Sequence, residues 1–340
     1  MVMGRQTKNV WLNHWFSTAY NIIKLIKKDD SIDFHIIGTN ENSISVLKDV
    51  CDEWYSEPEK SSGDEYVEFC LEFCKEHNID VFLPHRHFQA ISKRKQWFED
   101  INVAVLVDDY SKIALLNDKA RAYQFFQNQP YMNVPEHYVV CDIDGFRKAY
   151  FDLAEKYGQV CTKFIHDEGG KSYRLIDNTR KGYSALFKKQ NTRMTFDSLE
   201  EALQEKDKFS PLMVMPYLEG DEISVDCLKT EQGIIIIPRI KSTTRFEKIE
   251  FNNNIIELCE EIYGLIDLEM PCNIQFKYRG DVPFFLEINT RMSGGIHMAC
   301  AGTGVNIPNI AVNKVLGINK TWELKRESRT VSQVEIPVVL

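Results

Sequence analysis

The residues best suited to chemistry lie near the C-terminus, in Phe284-Phe285-Leu286-Glu287-Ile288-Asn289-Thr290-Arg291-Met292-Ser293-Gly294-Gly295. A carboxylate, an amide and a guanidinium follow one another on alternate residues of a largely apolar run. Alternate residues of a β-strand share one face, so Glu287, Asn289 and Arg291 are expected to point the same way. Upstream, Pro271-Cys272-Asn273-Ile274-Gln275-Phe276-Lys277 reads as a second strand, joined through the turn Tyr278-Arg279-Gly280-Asp281. A hairpin of the two would set Gln275 near Glu287 and Asn289. Three oxygen ligands beside an arginine suit a magnesium ion carrying nucleotide phosphates.

The chain around these residues has 340 amino acids, room for two or three domains with real cores. Its net charge of −9 argues against a nucleic-acid partner, which needs a basic surface, but not against ATP, whose phosphates are held by local donors. No apolar run of about 18 residues predicts a membrane span, and the first residues lack a signal core. Nine cysteines, without ligand spacing, fit a reduced, cytoplasmic protein. Cys70 and Cys74 fall on one helix face and read as buried small hydrophobes.

Elements alternate in the first third. Lys8–Leu12, Ile32–Gly38, Ile79–Pro84 and Val103–Val107 read as strands, and Ala19–Lys28 and Glu65–His77 as amphipathic helices. This alternation implies βαβ units and a parallel sheet. The segment after the first strand, Asn13-His14-Trp15-Phe16-Ser17-Thr18-Ala19, lacks G-x-G-x-x-G, and its bulky rings would block a pyrophosphate, so an NAD-linked function is rejected. Ligands of open α/β sheets lie beyond the carboxyl ends of the strands, which makes His14, His85, Arg86 and His87 pocket candidates. Farther on, Asn117-Asp118 can cap a helix running through Phe125 that begins at Lys119. The strand Val160–Lys163 leads into Phe164-Ile165-His166-Asp167-Glu168-Gly169-Gly170-Lys171-Ser172, whose glycines let backbone N–H groups turn toward an anion. Then come Met215-Pro216-Tyr217-Leu218-Glu219-Gly220-Asp221-Glu222, strands over 224–228 and 233–241, and a helix over 254–263.

The pairing of Asn273-Ile274-Gln275 with Glu287-Ile288-Asn289-Thr290-Arg291-Met292-Ser293 resembles the metal-binding end of the ATP-grasp superfamily. It is most similar to the large subunit of carbamoyl phosphate synthase and to stand-alone carboxylate–amine ligases. His297–Pro308 also resembles the helix and loop that follow in that family.

The resemblance implies an α/β and α+β fold: a Rossmann-like pre-ATP-grasp domain (1–110), then a two-lobed ATP-grasp fold. Its small lobe (111–220) would carry the phosphate loop and hinge, its C-terminal lobe (221–325) the metal site, and residues 326–340 a tail in which Ile336–Leu340 could add a strand. ATP with Mg²⁺ or Mn²⁺ is the implied cofactor pair, the metal being held by Gln275, Glu287 and Asn289. Arg291 and Lys163 take catalytic roles. Lys119, Lys163, Glu168, Gly170, Ser172 and Gln275 would meet the nucleotide. The Pro216 carbonyl and Leu218 N–H, with Tyr217 between them, would meet adenine, and Glu222 the ribose. The substrate side would use His14, His85, Ser293, Gly294 and Gly295, with Arg239 and Lys241 at a strand end as looser candidates; His297 reads equally as a helix-start residue. Phenylalanine follows Lys163 where the family commonly has proline.

The implied activity is ATP-dependent ligation of a carboxylate to an amine or other nucleophile through an acyl phosphate. The alternatives are an ATP- or ADP-binding protein that ligates nothing, or carboxyphosphate chemistry with bicarbonate. The partners are then small molecules, with no nucleic acid and no membrane, and analogy suggests a homodimer.

Overall fold

The computed structural model describes residues 5–59, 61–166, 170–180, 192–242 and 244–340. It is a mixed α/β structure in which the chain divides into two compact units. The first comprises 1–114, 222–275 and 288–340; the second comprises 115–221 and 276–287.

The N-terminal third runs β1 (Gln6–Asn13), α1 (Ala19–Ile26), β2 (Ile32–Asn40), β3 (Glu53–Ser56), α2 (Gly63–Glu76), β4 (Val81–Leu83), α3 (Phe88–Lys93), α4 (Lys95–Glu99), β5 (Ala104–Val105) and α5 (Tyr110–Leu116). The strands form a parallel sheet in the order β3-β2-β1-β4-β5. Both faces are covered, which explains the apolar run of β1. Val10 and Leu12 enter one core with Ile22, Ile23 and Ile26 of α1. Trp11 points the opposite way, stacking on Phe82 at 4.1 Å and meeting Phe73 of α2 at 4.4 Å. A capping box of Ser62 and Glu65 starts α2, whose buried face carries Cys70 and Cys74, as expected of small hydrophobes. Strand β3 was not expected; it pairs with β2, and Gly38 lets Trp54 and Cys51 approach, because a Cβ there would lie 2.7 Å from both.

The next stretch gives α6 (Lys119–Gln127), β6 (Tyr138–Val140), α7 (Ile143–Tyr157), β7 (Val160–Phe164), β8 (Arg174–Ile176), β9 (Arg193–Met194), α8 (Phe196–Gln204) and β10 (Leu212–Pro216). Its sheet has the order β6-β10-β7-β8-β9, mostly antiparallel, with α7 and α8 over a core of Phe146, Leu153, Val160 and Val214.

The last third contains β11 (Glu222–Thr230), β12 (Gly233–Ile240), β13 (Phe246–Ile249), α9 (Asn253–Ile266), β14 (Cys272–Arg279), β15 (Val282–Asn289), α10 (Ile296–Thr303), α11 (Ile307–Val315) and β16 (Arg329–Ser332). These strands form a sheet in the order β15-β14-β11-β12-β13-β16. Two expectations are corrected. The tail does supply a strand, but it is β16, paired with β13; Ile336 and Val339 stand exposed outside any strand. Arg291 is not on a strand face either, because β15 ends at Asn289. Glu287 and Asn289 remain alternate residues of one strand, and Arg291 belongs to the loop beyond it.

Candidate functional site

In the second unit, Lys119, Lys163 and Glu287 come together. Asp118 caps α6, its Oδ1 accepting the N–H groups of Ala120 and Arg121 at 3.0 Å, so Lys119 opens the first turn. Its ammonium lies 3.7 Å from Glu287 Oε2 and donates to the Ile165 carbonyl at 3.3 Å. Lys163, facing Met213 across β7 and β10, donates to the Leu286 carbonyl at 3.4 Å and to the Tyr123 hydroxyl at 3.5 Å. Burial, then the charge of Glu287, pushes the Tyr123 phenol well above its ordinary pKa, so it remains a neutral dipole. Two ammonium groups and one carboxylate beside a glycine loop can hold a phosphate chain and one edge of a divalent cation.

Ser172 Oγ accepts the Phe164 N–H at 2.9 Å. Gly170 takes a left-handed φ of 65°. Glu168, with Gly169, lies outside the described residues. At the hinge, the Pro216 carbonyl accepts a weak contact from Cys161 Sγ at 3.8 Å, the Tyr217 N–H donates to the Gln159 carbonyl at 2.8 Å, and Leu218 is buried. A Cβ on Gly220 would lie 2.7 Å from the Tyr278 carbonyl, so glycine is needed there.

The first unit brings a second set together. Asn13 ends β1 fully buried; its Oδ1 accepts the His85 N–H at 2.6 Å, and its Nδ2 donates to the Tyr66 hydroxyl at 3.0 Å. The β1–α1 loop is pinned by Trp15 Nε1 donating to the Leu83 carbonyl at 2.9 Å. His85 packs against Trp15 and Phe16, each 5.3 Å away. Burial, then the charges of Arg291 and His14, lowers its pKa to about 3, so it is neutral. Arg291 lies over the Phe16 ring at 5.3 Å, and a Cβ on Gly294 would come 3.0 Å from Thr18 Oγ1. His14, His85, Arg291 and the Ser293–Gly295 turn therefore meet around one loop. Asn13, Glu57 and Tyr123 escaped the sequence reading. A polar residue closing an apolar strand could have flagged Asn13; Glu57 follows the unexpected β3.

Arg239 and Lys241 differ from expectation. Arg239 is 1% exposed. It donates from Nε to Asp226 at 2.8 Å, from Nη2 to Ser293 Oγ at 3.1 Å and to Ser224 Oγ at 3.3 Å, and it pairs with Glu247. No strand-end guanidinium is offered to a substrate: the apolar flanks of β12 carry it into the interior, where two carboxylates hold it. Gly295 packs so closely on this guanidinium that a Cβ would collide with it. Lys241 pairs with Glu222 at 2.6 Å, so the expected ribose acceptor already holds a cation. His297 reads as a helix-start residue, its Nδ1 3.1 Å from the Gly294 carbonyl.

The donor set fits a hard cation. Gln275 Nε2 donates to Asn273 Oδ1 at 3.0 Å, so its amide oxygen is the end available to accept or ligate. Gln275, Asn289 and Glu287 all offer oxygen, the donor type magnesium takes. Among the described residues, no cluster of three or more His, Cys, Asp or Glu side chains is placed to hold a metal. A set with one carboxylate binds the ion weakly alone and needs phosphate oxygens to complete it.

Residues 208–336 match the family profile described as "ATP-grasp in the biosynthetic pathway with Ter operon". The carbamoyl phosphate synthase large chain of Pseudothermotoga lettingae is 22% identical over 307 residues, which are 85% of this chain and 26% of that one. The chain thus spans about a quarter of that curated relative's length. The biotin carboxylase domain of Hydrogenobacter thermophilus 2-oxoglutarate carboxylase, described in complex with MgADP and bicarbonate, superposes with a TM-score of 0.67 at 17% identity, covering 93% of this chain and 71% of that one. An L-amino acid ligase from Bacillus licheniformis gives a TM-score of 0.65 at 11% identity, covering 92% and 75%. These structures share the fold, and over residues 208–336 and the span of the curated relative the chain is similar to an ATP-grasp profile and to the carbamoyl phosphate synthase large chain.

Proposed function

We propose that the protein is an ATP-dependent ligase that joins a carboxylate to an amine or other nucleophile through an acyl phosphate, releasing ADP and phosphate. The observation that carries this reading is the convergence of Lys119, Lys163 and Glu287 in an ATP-grasp fold. Lys119 and Lys163 hold the phosphate chain and Arg291 neutralises the transferring phosphoryl group, a task for which a planar guanidinium suits better than an ammonium. Gln275, Glu287 and Asn289 would hold Mg²⁺ or Mn²⁺. When bound, the cation would supply positive charge that offsets the charge of the phosphates. Pro216, Tyr217 and Leu218 frame adenine, Glu222 takes the ribose, and Glu168, Gly170 and Ser172 close over the phosphates. His14, His85 and the Ser293-Gly294-Gly295 turn line the substrate side. Arg239 positions that turn from beneath.

On this reading residues 1–110 form a Rossmann-like domain, 111–220 a small lobe and 221–325 the metal-bearing lobe, working in the cytoplasm as a homodimer. The Hydrogenobacter domain is described as a dimer, which supports the last point. Among the described residues no helix is long and apolar enough to cross a membrane.

The test is a phosphate-release screen over amino acids and small carboxylates with Mg²⁺ and ATP. A carboxylate-dependent burst is expected, and Glu287→Ala and Arg291→Ala should each lower it at least ~100-fold with unchanged circular dichroism. Near wild-type turnover in either variant removes that residue's role; no turnover with any carboxylate removes the ligase reading.

A further inference from the structure

At the carboxyl end of the parallel sheet, a buried carboxylate sits behind a half-exposed imidazole. The Glu57 side chain is 0% exposed and held from three sides: the Tyr66 hydroxyl and Thr39 Oγ1 each donate to it at 2.7 Å, and Arg86 lies 3.4 Å away. His14 Nδ1 stands 3.9 Å from Glu57 Oε2. That nitrogen is buried without a hydrogen-bond partner, while the side chain as a whole is 34% exposed. Nε2 is the other ring nitrogen of this one-third-exposed side chain. The backbone is strained here: His14 has φ 46° and His87, beside the same carboxylate, φ 52°. Non-glycine residues in that region persist where the surroundings enforce them. Arg86, Tyr66, His85, His87 and Arg291 are the other titratable groups around the loop.

We infer that His14 is the general base of the amine-transfer step, with Glu57 as the residue that orients its ring; this rests on the ligase reading above. An ammonium nucleophile cannot attack until it loses a proton. His14 Nε2 takes one, and the freed lone pair forms the N–C bond to the acyl carbon. The C–O bond to phosphorus breaks, its electron pair leaves with inorganic phosphate, and the second nitrogen proton goes to that phosphate. The contact of 3.9 Å shortens to a hydrogen bond as the imidazolium forms, a tightening common in catalytic pairs seen without substrate.

Hydroxylamine separates this step from ATP chemistry, because it is already neutral near pH 7 and needs no base. With the twenty standard amino acids, ATP, Mg²⁺ and hydroxylamine, the wild-type protein forms both dipeptide amide and amino-acid hydroxamate, read by mass and by the iron(III) colour. His14→Asn, which tolerates the left-handed backbone, should lower the amide-to-hydroxamate ratio about 100-fold or more, and added imidazole should restore part of it. Glu57→Gln should lower the same ratio less. An unchanged ratio in both variants, or equal loss of both products, overturns the proposal. If wild-type protein forms neither product, the ligase reading itself has failed, and the base falls with it.

Discussion

Arg239 is fully enclosed and holds two carboxylates, with Asp226 also accepting from Ser293 Oγ at 2.6 Å and from Asn273 Nδ2 at 3.0 Å. Burial works against its charge, but Asp226 and Glu247 outweigh it and raise the guanidinium's pKa. Removing one partner from such a network strands a buried charge, which costs about 3–5 kcal/mol. Arg239→Met is therefore expected to lose that much stability in urea titrations, and a loss under 1 kcal/mol would mean that the pair is neutral to the fold. His85 makes a pH-dependent contribution. Its folded pKa of about 3 lies below the ordinary 6.5, so the unfolded chain binds the extra proton. Stability from this group is complete above about pH 6.5 and falls as pH drops toward 3, by up to about 1.4 kcal/mol per pH unit. His85→Gln should flatten that acid limb relative to wild type; parallel curves in urea titrations at pH 4 to 7 would refute it. At this scale the strand placing Glu287 and Asn289 on alternate positions was legible from its apolar run. Glu57 was not, since Thr39, Tyr66, Arg86 and His14 reach it from four different segments.

Helix α6 shows how an element carries a site residue. Asp118 was expected as its cap, and the helix starts at Lys119 and runs two residues past Phe125. Losing a cap costs about 1 kcal/mol. Asp118→Ala should lower stability by that amount and weaken ATP binding in calorimetry, because the first turn holds the Lys119 ammonium near Glu287; Asp118→Asn keeps the cap and should bind like wild type. ATP affinity unchanged in Asp118→Ala would separate the cap from the site. Strong periodicity made α2, α9, β1 and β2 readable, since their apolar residues mark one face or two covered faces. The short pieces, β3, β13 and β16, were not, because pairing with a neighbour rather than their own pattern fixes them: β13 is held between β12 and β16. The same reason explains the tail, where Arg329–Ser332 finds a partner strand and the more hydrophobic Ile336–Leu340 finds none.

For the molecule as a whole, the N-terminal parallel sheet followed from alternating segments, whereas the order of the later strands and the division of the chain into 1–114 with 222–275 and 288–340, and 115–221 with 276–287, did not. A unit assembled from separated segments leaves no composition shift at its borders, and the 276–287 piece is the middle of a hairpin. Nucleotide binding gives a molecule-wide readout of the proposed site. A ligand at about 100 times its Kd that binds only the folded state adds about 2.7 kcal/mol, enough to raise Tm by roughly 2–4 °C or more in a chain of this length. MgATP should produce such a shift. EDTA should cut it sharply, because Glu287 is the only carboxylate in the proposed set and the cation would offset its charge and that of the phosphates. Lys163→Met should weaken the shift with or without metal, since its ammonium acts on phosphate directly, and Glu287→Gln should abolish the difference between the two conditions. A shift insensitive to EDTA in wild-type protein would place the nucleotide on cationic side chains alone and remove the metal from its binding.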